Sequence, residues 1–535
     1  MRKCTILCLA VAAVITLGAC AQQPAQPPAA TPAPAQATPA PADAPADAPA
    51  DETVSARDEL TIVTSVLATS MDPTFANDIA SGVVRTLLYN TLIVLNEETG
   101  ELEPGLALSW DMPDSQTVNM QLREGVYFHN GDLFTAADVA FSFERLVESP
   151  AVRSLYNMID YVEIHDDFDI TIHLNTPFSP ILYQITMNTA GIVSQRAVEE
   201  LGDDFATNPV GTGPFKYHEF ILGDRLILVR NDNYWGEAPA IREMTFRLIP
   251  EASVRLVEVE TGHADIAFAI LESDVQRAID TPSIELIQTT TFAYNFIGMN
   301  SLHAPFDDVR VRQAINYALD TDAIIAIATS GFGTPAPGPM STHSTHVVQT
   351  EPFEFNPERA MELLAEAGYP DGFETSIIIN SGNVQRADIA EIVANQLRAI
   401  GVEVNIEVLE FATMMERLNS GDSALQVMNW FALTPDPDYA LYSLFHSSNH
   451  GSGANRTFFD NPTVDRLLDE GRAELDAVRR SEIYAEIQHI IRDEAPHIFL
   501  HQGDSFNITT PYVRGFNPSS TTIHRMQHVY FVDGN

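Results

Sequence analysis

Between Asn356 and Leu409 the spacing of apolar residues changes period three times, and this restricts the fold more than any other stretch of the chain. Asn356 is placed to cap a helix with Pro357 in its first turn; Gly368 ends that helix and Pro370 lies just beyond. Thr375 to Ile379 is a short apolar run of the buried-strand kind. Arg386 to Ile400 returns to helical spacing, with Ile389, Ile392, Val393, Leu397 and Ile400 on one face. Val402 to Leu409 then alternates as a second strand. A strand, a helix and a second strand in this order make a β-α-β unit with parallel pairing, so this region is α/β.

Elsewhere helix and strand patterns also alternate. Leu60 to Thr64, Arg225 to Arg230, Met244 to Ile249 and Leu425 to Trp430 read as strands. Thr135 and Asp138 have the spacing of a helix N-cap, followed by Val139, Phe143 and Leu146 at helical intervals. Asp476 to Arg492 reads as a late amphipathic helix. There is no short internal repeat, which excludes solenoids and propellers. Antiparallel-looking strands precede residue 290 and compact α/β units follow it, giving two lobes that meet near Thr290–Asn300.

The first 57 residues are expected to stand outside this body. Arg2 and Lys3 form a basic start, an apolar run follows from Ile6 to Leu17, and Leu17-Gly18-Ala19 precedes Cys20. The apolar run is too short to span a bilayer, and the layout is that of a signal peptide. Small residues before a cysteine resemble the lipobox of bacterial lipoproteins, with Cys20 as the lipidated new N-terminus and more than one acyl chain giving a stable anchor. Cys4 and Cys8 fall in the segment to be removed, so the mature chain keeps Cys20 alone and has no disulfide framework or thiol metal site. Ala21 to Ala50 is nearly all Ala, Pro, Gln, Thr and Asp, which buries nothing and reads as an extended spacer.

Roughly 480 residues remain, enough for two or three domains. The chain has 29 basic and 73 acidic residues; Arg2 and Lys3 are removed with the leader, so 27 basic residues face 73 acidic ones. Lys216 is then the one lysine left. Such a surface repels phosphate backbones, which argues against nucleic acid as a partner. A cationic partner is one reading of the acidity. The even spread of acids along the chain favours the other, a solvated surface suited to high salt.

Signatures of catalysis are missing: there is no GxSxG elbow, HExxH, Walker A loop or GxGxxG. Gly211-Thr212-Gly213 runs into Pro214 and reads as a tight turn. His497 and His501 have the i, i+4 spacing of a helical metal pair. Pro496 and the intervening Ile-Phe-Leu instead favour a strand, where that spacing spans about 13 Å. His343 and His346 lie in a Ser/Thr-rich loop and read as exposed. No cofactor is implied. An exported, tethered body without catalytic motifs leaves capture and presentation of a solute as its natural task.

The ordered motifs now become specific. Leu88-Tyr89-Asn90-Thr91-Leu92 is followed by Glu103-Pro104-Gly105-Leu106-Ala107, then by LREGVYFHNGDLFTAADVAFSFERL from Leu122 to Leu146. NPVGTGPF (Asn208 to Phe215), NDNYWG (Asn231 to Gly236), YNFIGMN (Tyr294 to Asn300), VRVRQAINYALD (Val309 to Asp320) and GTPAPGPM (Gly333 to Met340) come next. LFHSSNHGSGANRTFFDNPTVDRLLDEGR closes the series from Leu444 to Arg472. Over residues 58–535 the chain resembles the family 5 solute-binding proteins of ABC importers, the group of dipeptide, oligopeptide and nickel receptors. The resemblance implies a large, type II, two-lobed periplasmic-binding-protein-like fold with an extra inserted subdomain and a ligand cleft between the lobes. Its expected divisions are a signal peptide at 1–19, a lipidated tether at 20–57, lobe 1 at 58–290 with the insert at about 105–205, lobe 2 at 291–505, and a return to lobe 1 at 506–535. Hinge strands are expected near Phe292–Asn300 and Ser505–Thr510.

The resemblance also implies closure on the ligand, docking on permease subunits, a monomer, and no chemistry by the receptor itself. Peptide receptors of this family hold the ligand's amine with an aspartate three residues after a tryptophan. Here that stretch is Trp430-Phe431-Ala432-Leu433, so a leucine stands where the acid is expected. Asp436, or Asp438, is the candidate replacement; the alternative is a turn-forming role beside Pro435 and Pro437. Asp78 is a second candidate anchor. Trp430, Phe431, Tyr439, Tyr294 and Asn295 are candidates for the cleft wall, with core packing as the alternative for the aromatics. Arg386, at a helix start, is a candidate to grip a carboxylate or to form a structural ion pair, and the carboxylate anchor stays unassigned. The Leu433 departure keeps open a non-peptide solute on the same scaffold: a nickel chelate, an opine or a sugar. An exported hydrolase and a structural envelope protein are the readings outside this class. On these expectations the chain fractionates with membranes unless Cys20 is changed to Ser, and its melting temperature rises as KCl approaches molar levels. A soluble wild-type chain, or a melting temperature flat in KCl, goes against them.

Overall fold

Two long strands, Glu285–Met299 and His497–Thr509, run antiparallel along most of their length and hold the main sheet together. They are the centre of a computed structural model that describes residues 53–533 apart from Glu98 and Pro337. The signal segment, Cys20 and most of the Ala/Pro-rich spacer lie outside these residues. Among those described, no helix is long and apolar enough to cross a membrane.

On one side of this pair the sheet continues through Leu425–Phe431, Phe373–Asn380 and the edge strand Val402–Leu409. On the other it continues through Ile266–Ala267, Glu59–Thr64, Glu243–Leu248, Arg225–Arg230 and Phe215–Ile221. A two-residue strand, Thr334–Pro335, pairs with the middle of His497–Thr509. Each wing has a parallel core. Phe373–Asn380 lies parallel to Val402–Leu409 in unbroken register, with helix Val384–Arg398 as the crossover. Glu59–Thr64 lies parallel to both Glu243–Leu248 and Ile266–Ala267, with helix Ala252–Glu260 between the latter two. This is the two-lobed α/β architecture, and the helix and strand periods read from Asn356 to Leu409 are found where expected.

The period of two along the long strands distributes their side chains between cores. Ile297 and Met299 join Ile377, Ile379, Val393 and Leu397 on one face, while Tyr294 and Phe296 join Phe445, Phe459, Tyr484 and Ile487 on the other. At the far end Phe506 and Ile508 pack with Val63, Leu256 and Val259. Leu60 and Ile62 face the opposite way, onto helix Ile79–Leu88 and Phe246. A separate four-stranded sheet is formed by Ala107–Asp114, Thr117–Leu122, Asp169–Leu174 and Ile159–Asp166, in that order. Helix Ala136–Glu148 buries Val139, Phe143 and Leu146 in its core, as their spacing predicts. The Gly211-Thr212-Gly213 turn brings backbone against backbone: a Cβ on Gly211 would lie 2.1 Å from the Leu88 carbonyl oxygen, and one on Gly213 would lie 2.3 Å from that of Leu87.

The two long strands do not pair without interruption. Their register shifts between Thr290 and Tyr294, opposite Asp504 to Gln502, and again between Asn295 and Phe296, opposite His501 to Phe499. Thr291 donates its hydroxyl to the Gly503 carbonyl across the first break, 2.8 Å. A bulge at this place loosens the ladder where the sheet passes from one wing to the other.

Burial lowers the pKa of His129, His501 and His524 to about 4 and of His497 to about 3. His497 stacks on Phe296 with ring centres 4.0 Å apart. Each stays neutral when folded but takes a proton below its ordinary value of about 6.5 when unfolded. Their contribution is therefore present above that value and is lost as pH falls toward about 4, by about 1.4 kcal/mol per pH unit for each histidine. The melting temperature should fall between pH 7 and pH 5, and His497→Phe should make that fall shallower; an equally steep fall in the variant would show that His497 plays no part.

Candidate functional site

The register break opens onto a polar cavity of about 240 Å³. Several parts of the sequence line it, among them Thr329 to Gly333 and Asn429, and three bring its charged and titratable groups. The first is the start of helix Val384–Arg398, which follows directly from the C-terminal end of strand Phe373–Asn380. Asn383 caps this helix by accepting the backbone N–H of Arg386, 2.9 Å. Arg386 turns its guanidinium onto two amide oxygens, Asn380 Oδ1 at 2.6 Å and Asn429 Oδ1 at 2.7 Å. It forms no ion pair among the described residues, and burial lowers its pKa. Among the described residues its hydrogen bonds are to neutral oxygens only, so its charge is not balanced by a bonded carboxylate.

The second part is the break itself. Asn295 donates from Nδ2 to His501 Nε2, 3.1 Å. That bond, together with the lowered pKa of the ring, puts the remaining imidazole proton on Nδ1. His501 is buried at 2 % exposure, and its Nδ1 has no partner among the described residues. Gln502 is pinned: its Oε1 accepts from Ser341 Oγ at 2.9 Å and from the Thr342 N–H at 2.7 Å. Asp504 accepts from Gln288 Nε2 through Oδ2, 2.7 Å, while its buried Oδ1 has no partner among the described residues. The third part is Glu272, from the turn before helix Val275–Ile279 in the other wing. Burial, and then the charge of Asp504, raise its pKa. One small cavity thus holds a guanidinium without a counter-ion, two carboxylates and an unmatched imidazole N–H.

A second cavity, about 400 Å³, lies against the near end of the same strand. Ser505, Asn507 and His524 contribute polar edges, but Leu67, Val83, Phe246 and Phe268 make it mainly apolar. Asp78 stands at its rim, and its carboxylate is used locally. It caps helix Ile79–Leu88 through the Ser81 N–H at 2.9 Å and accepts the hydroxyls of Ser81 and Thr69, each at 2.7 Å. Burial opposes its charge, but these bonds outweigh it and hold its pKa below the ordinary value.

The structure gives the candidate amine anchor Asp436 a different task. It caps helix Pro437–Phe445, is 2 % exposed, and receives both Nη atoms of Arg480 at 2.7 and 2.9 Å. Burial works against the Arg480 charge, but Asp436 overrides it and raises that pKa. Asp438 is likewise taken by Arg472, at 2.6 and 3.1 Å. Arg472 stands over the Tyr442 ring at 3.1 Å and the Phe178 ring at 5.3 Å, and its carbonyl accepts the Ser179 N–H. Both acids therefore build the wall behind Trp430 and have no free oxygen for a ligand. Tyr294 is core, 1 % exposed between Phe296 and Phe499. Trp430, opposite Tyr294 in the ladder, is half-buried with its indole N–H unpartnered among the described residues, and Tyr439 lies 5.7 Å from it. Burial pushes the Tyr439 phenol up to about 12. Phe431, half-buried, ends the strand opposite Ala293. His497 and His501 lie in one strand, and His346 bonds Ser481 at 2.6 Å while His343 packs on Phe292. Sequence reasoning missed Glu272, Asp504 and Asn429; no local spacing marks them, because they meet only through the register break.

The comparisons with known proteins agree with this architecture. The profile of the bacterial extracellular solute-binding proteins, family 5 Middle, matches residues 101–452. The glutathione-binding protein GsiB of Pectobacterium atrosepticum is 31% identical over 458 residues, covering 83% of this chain and 88% of that one. HbpA2 of Haemophilus parasuis superposes with a TM-score of 0.83 at 26% identity, over 89% of this chain and 100% of that one. The ABC transporter-associated binding protein DppA of Helicobacter pylori, in complex with the peptide STSA, gives 0.75 at 29% identity, over 89% and 99%. Removing the Asp436 carboxylate should leave Arg480 buried and unpaired. Asp436→Ala is expected to cost about 3–5 kcal/mol in chemical denaturation; a loss under about 1 kcal/mol would show the pair is not structural.

Proposed function

The chain belongs to family 5 of the bacterial extracellular solute-binding proteins, and from that premise we propose that it captures short peptides between its lobes and delivers them to the permease of an ABC importer. The observation that carries this reading is the cavity at the register break, where Arg386 offers a guanidinium with no counter-ion among the described residues. A peptide's terminal carboxylate supplies that anion and accepts two charged hydrogen bonds. The neutral amides Asn295, Asn383, Asn429 and Gln385 surround it and suit a peptide backbone, which has donors and acceptors but no net charge. The apolar cavity lined by Leu67, Val83 and Phe268 takes a side chain. The names of the relatives support the same class, since glutathione is a tripeptide and STSA a tetrapeptide. The bulge at Thr290–Tyr294 is the hinge about which the lobes close on the ligand, and the receptor contributes affinity and a population shift rather than chemistry. The division at 58–290, 291–505 and 506–535, with Cys20 as a lipid anchor holding the body at the membrane, goes with this reading.

A metal chelate, opine or sugar on the same scaffold is the second reading, favoured by Leu433 in place of the expected acid. Isothermal titration with di- to pentapeptides separates the two. Saturable binding is expected, weakened roughly tenfold or more by amidating the peptide's carboxyl terminus or by Arg386→Ala. Binding of sugars or chelates with no binding of any peptide overturns the peptide reading.

A further inference from the structure

Resting on the capture of peptide-like solutes, we propose that Asp504 and Glu272 hold the ligand's ammonium group, in the same cavity in which Arg386 holds its carboxylate. The acid that follows the cleft tryptophan is replaced by Leu433, and the two acids next in sequence are sealed by Arg480 and Arg472. A cationic group on the ligand therefore finds no free carboxylate beside Trp430. The polar cavity offers two. Asp504 has one oxygen occupied by Gln288, and the other is buried with no partner among the described residues. Such an acceptor is costly to leave empty. Glu272 follows strand Ile266–Ala267 and lies on the same side of the register break as Asp504, while Arg386 comes from the other wing, so a ligand held by the two acids and by Arg386 ties the wings together.

His501 is a second observation that points to a ligand. Its ring is 2 % exposed, lines the cavity, and carries an Nδ1 proton with no acceptor among the described residues. A charged, two-ended occupant satisfies all three: carboxylate to Arg386, ammonium to Asp504 and Glu272, and a carbonyl or carboxylate oxygen to His501. The cavity is small, about 240 Å³. Both charges of the ligand must then lie close together, as in the zwitterionic head of an amino acid or at the two ends of a very short peptide. Long peptides and sugars lack that feature. Specificity follows from charge on both sides, because a ligand with a blocked amine leaves both carboxylates without a cation.

Titration of the purified protein with glutathione and tri-alanine, each with a free or an acetylated amine, tests this. The wild type is expected to prefer the free amine roughly tenfold or more. In Asp504→Asn with Glu272→Gln that preference should fall to about one, while sensitivity to amidation of the carboxyl end persists. Glu272→Gln alone, at a half-exposed turn, should reduce the preference with an unchanged melting temperature. A preference that survives in the double variant, or no preference in the wild type, overturns the placement of the ammonium and leaves the peptide reading standing. Binding of neither peptide by the wild type overturns both.

Discussion

The pairing of Glu285–Met299 with His497–Thr509 is the constraint on which the other parts depend. Each strand begins in one wing of the sheet and ends in the other, so neither wing can fold without positioning half of the other's edge. Had the two strands paired without a break, the sheet would be one stiff surface. Instead the ladder slips at Thr290–Tyr294. An extra residue in a ladder leaves backbone groups free and increases local twist. Cores on either side remain separate, Phe506 and Ile508 in one and Ile297 and Ile498 in the other. Rigid wings joined by a weakened strand pair are what a hinge requires.

The same break builds the cavity. Where the ladder is regular, backbone groups satisfy one another and side chains pack outward into cores. Where it slips, Asn295, His501 and Asp504 line the cavity, and His501 Nδ1 and Asp504 Oδ1 have no hydrogen-bond partner among the described residues. Helix Val384–Arg398 starts at the end of a parallel strand and delivers Arg386 to the same place. Structural and ligand-facing charges are sorted by whether a partner is built in. Asp436 and Asp438 are each matched by an arginine inside the protein. Arg386, Asp504 and Glu272 have no opposite charge bonded to them among the described residues, and in the proposed reading a ligand balances them.

Much of this was legible in the chain. The region from Asn356 to Leu409 announced its parallel strands because a change from helical to alternating apolar spacing has few structural solutions. The Thr135 and Asn356 caps, the strand at His497 and the late helix now bounded as Ala477–Glu494 were readable for the same reason: each is a local pattern satisfied by its own neighbours. The ordered motifs carried the family, and Arg386 was marked by its place at a helix start. Asp436 was read by analogy with the position it stands near, and its partner Arg480 lies 44 residues away.

What the sequence by itself determined is the class of fold, the order of its elements and the absence of catalytic motifs, since these follow from periodicity, caps and the residue types present. Tertiary structure alone decided which charges are paired inside the protein and which are not. Tyr294 went into the core and Trp430 to its edge, although both are aromatic and face each other in one ladder. Asp504 and Glu272, 232 positions apart, share a cavity, while Asp436 and Asp438, two positions apart, do not reach it. The physical reason is that a charge becomes structural or functional according to whether an opposite charge is delivered to it. That delivery depends on how distant strands are registered, which no local spacing records.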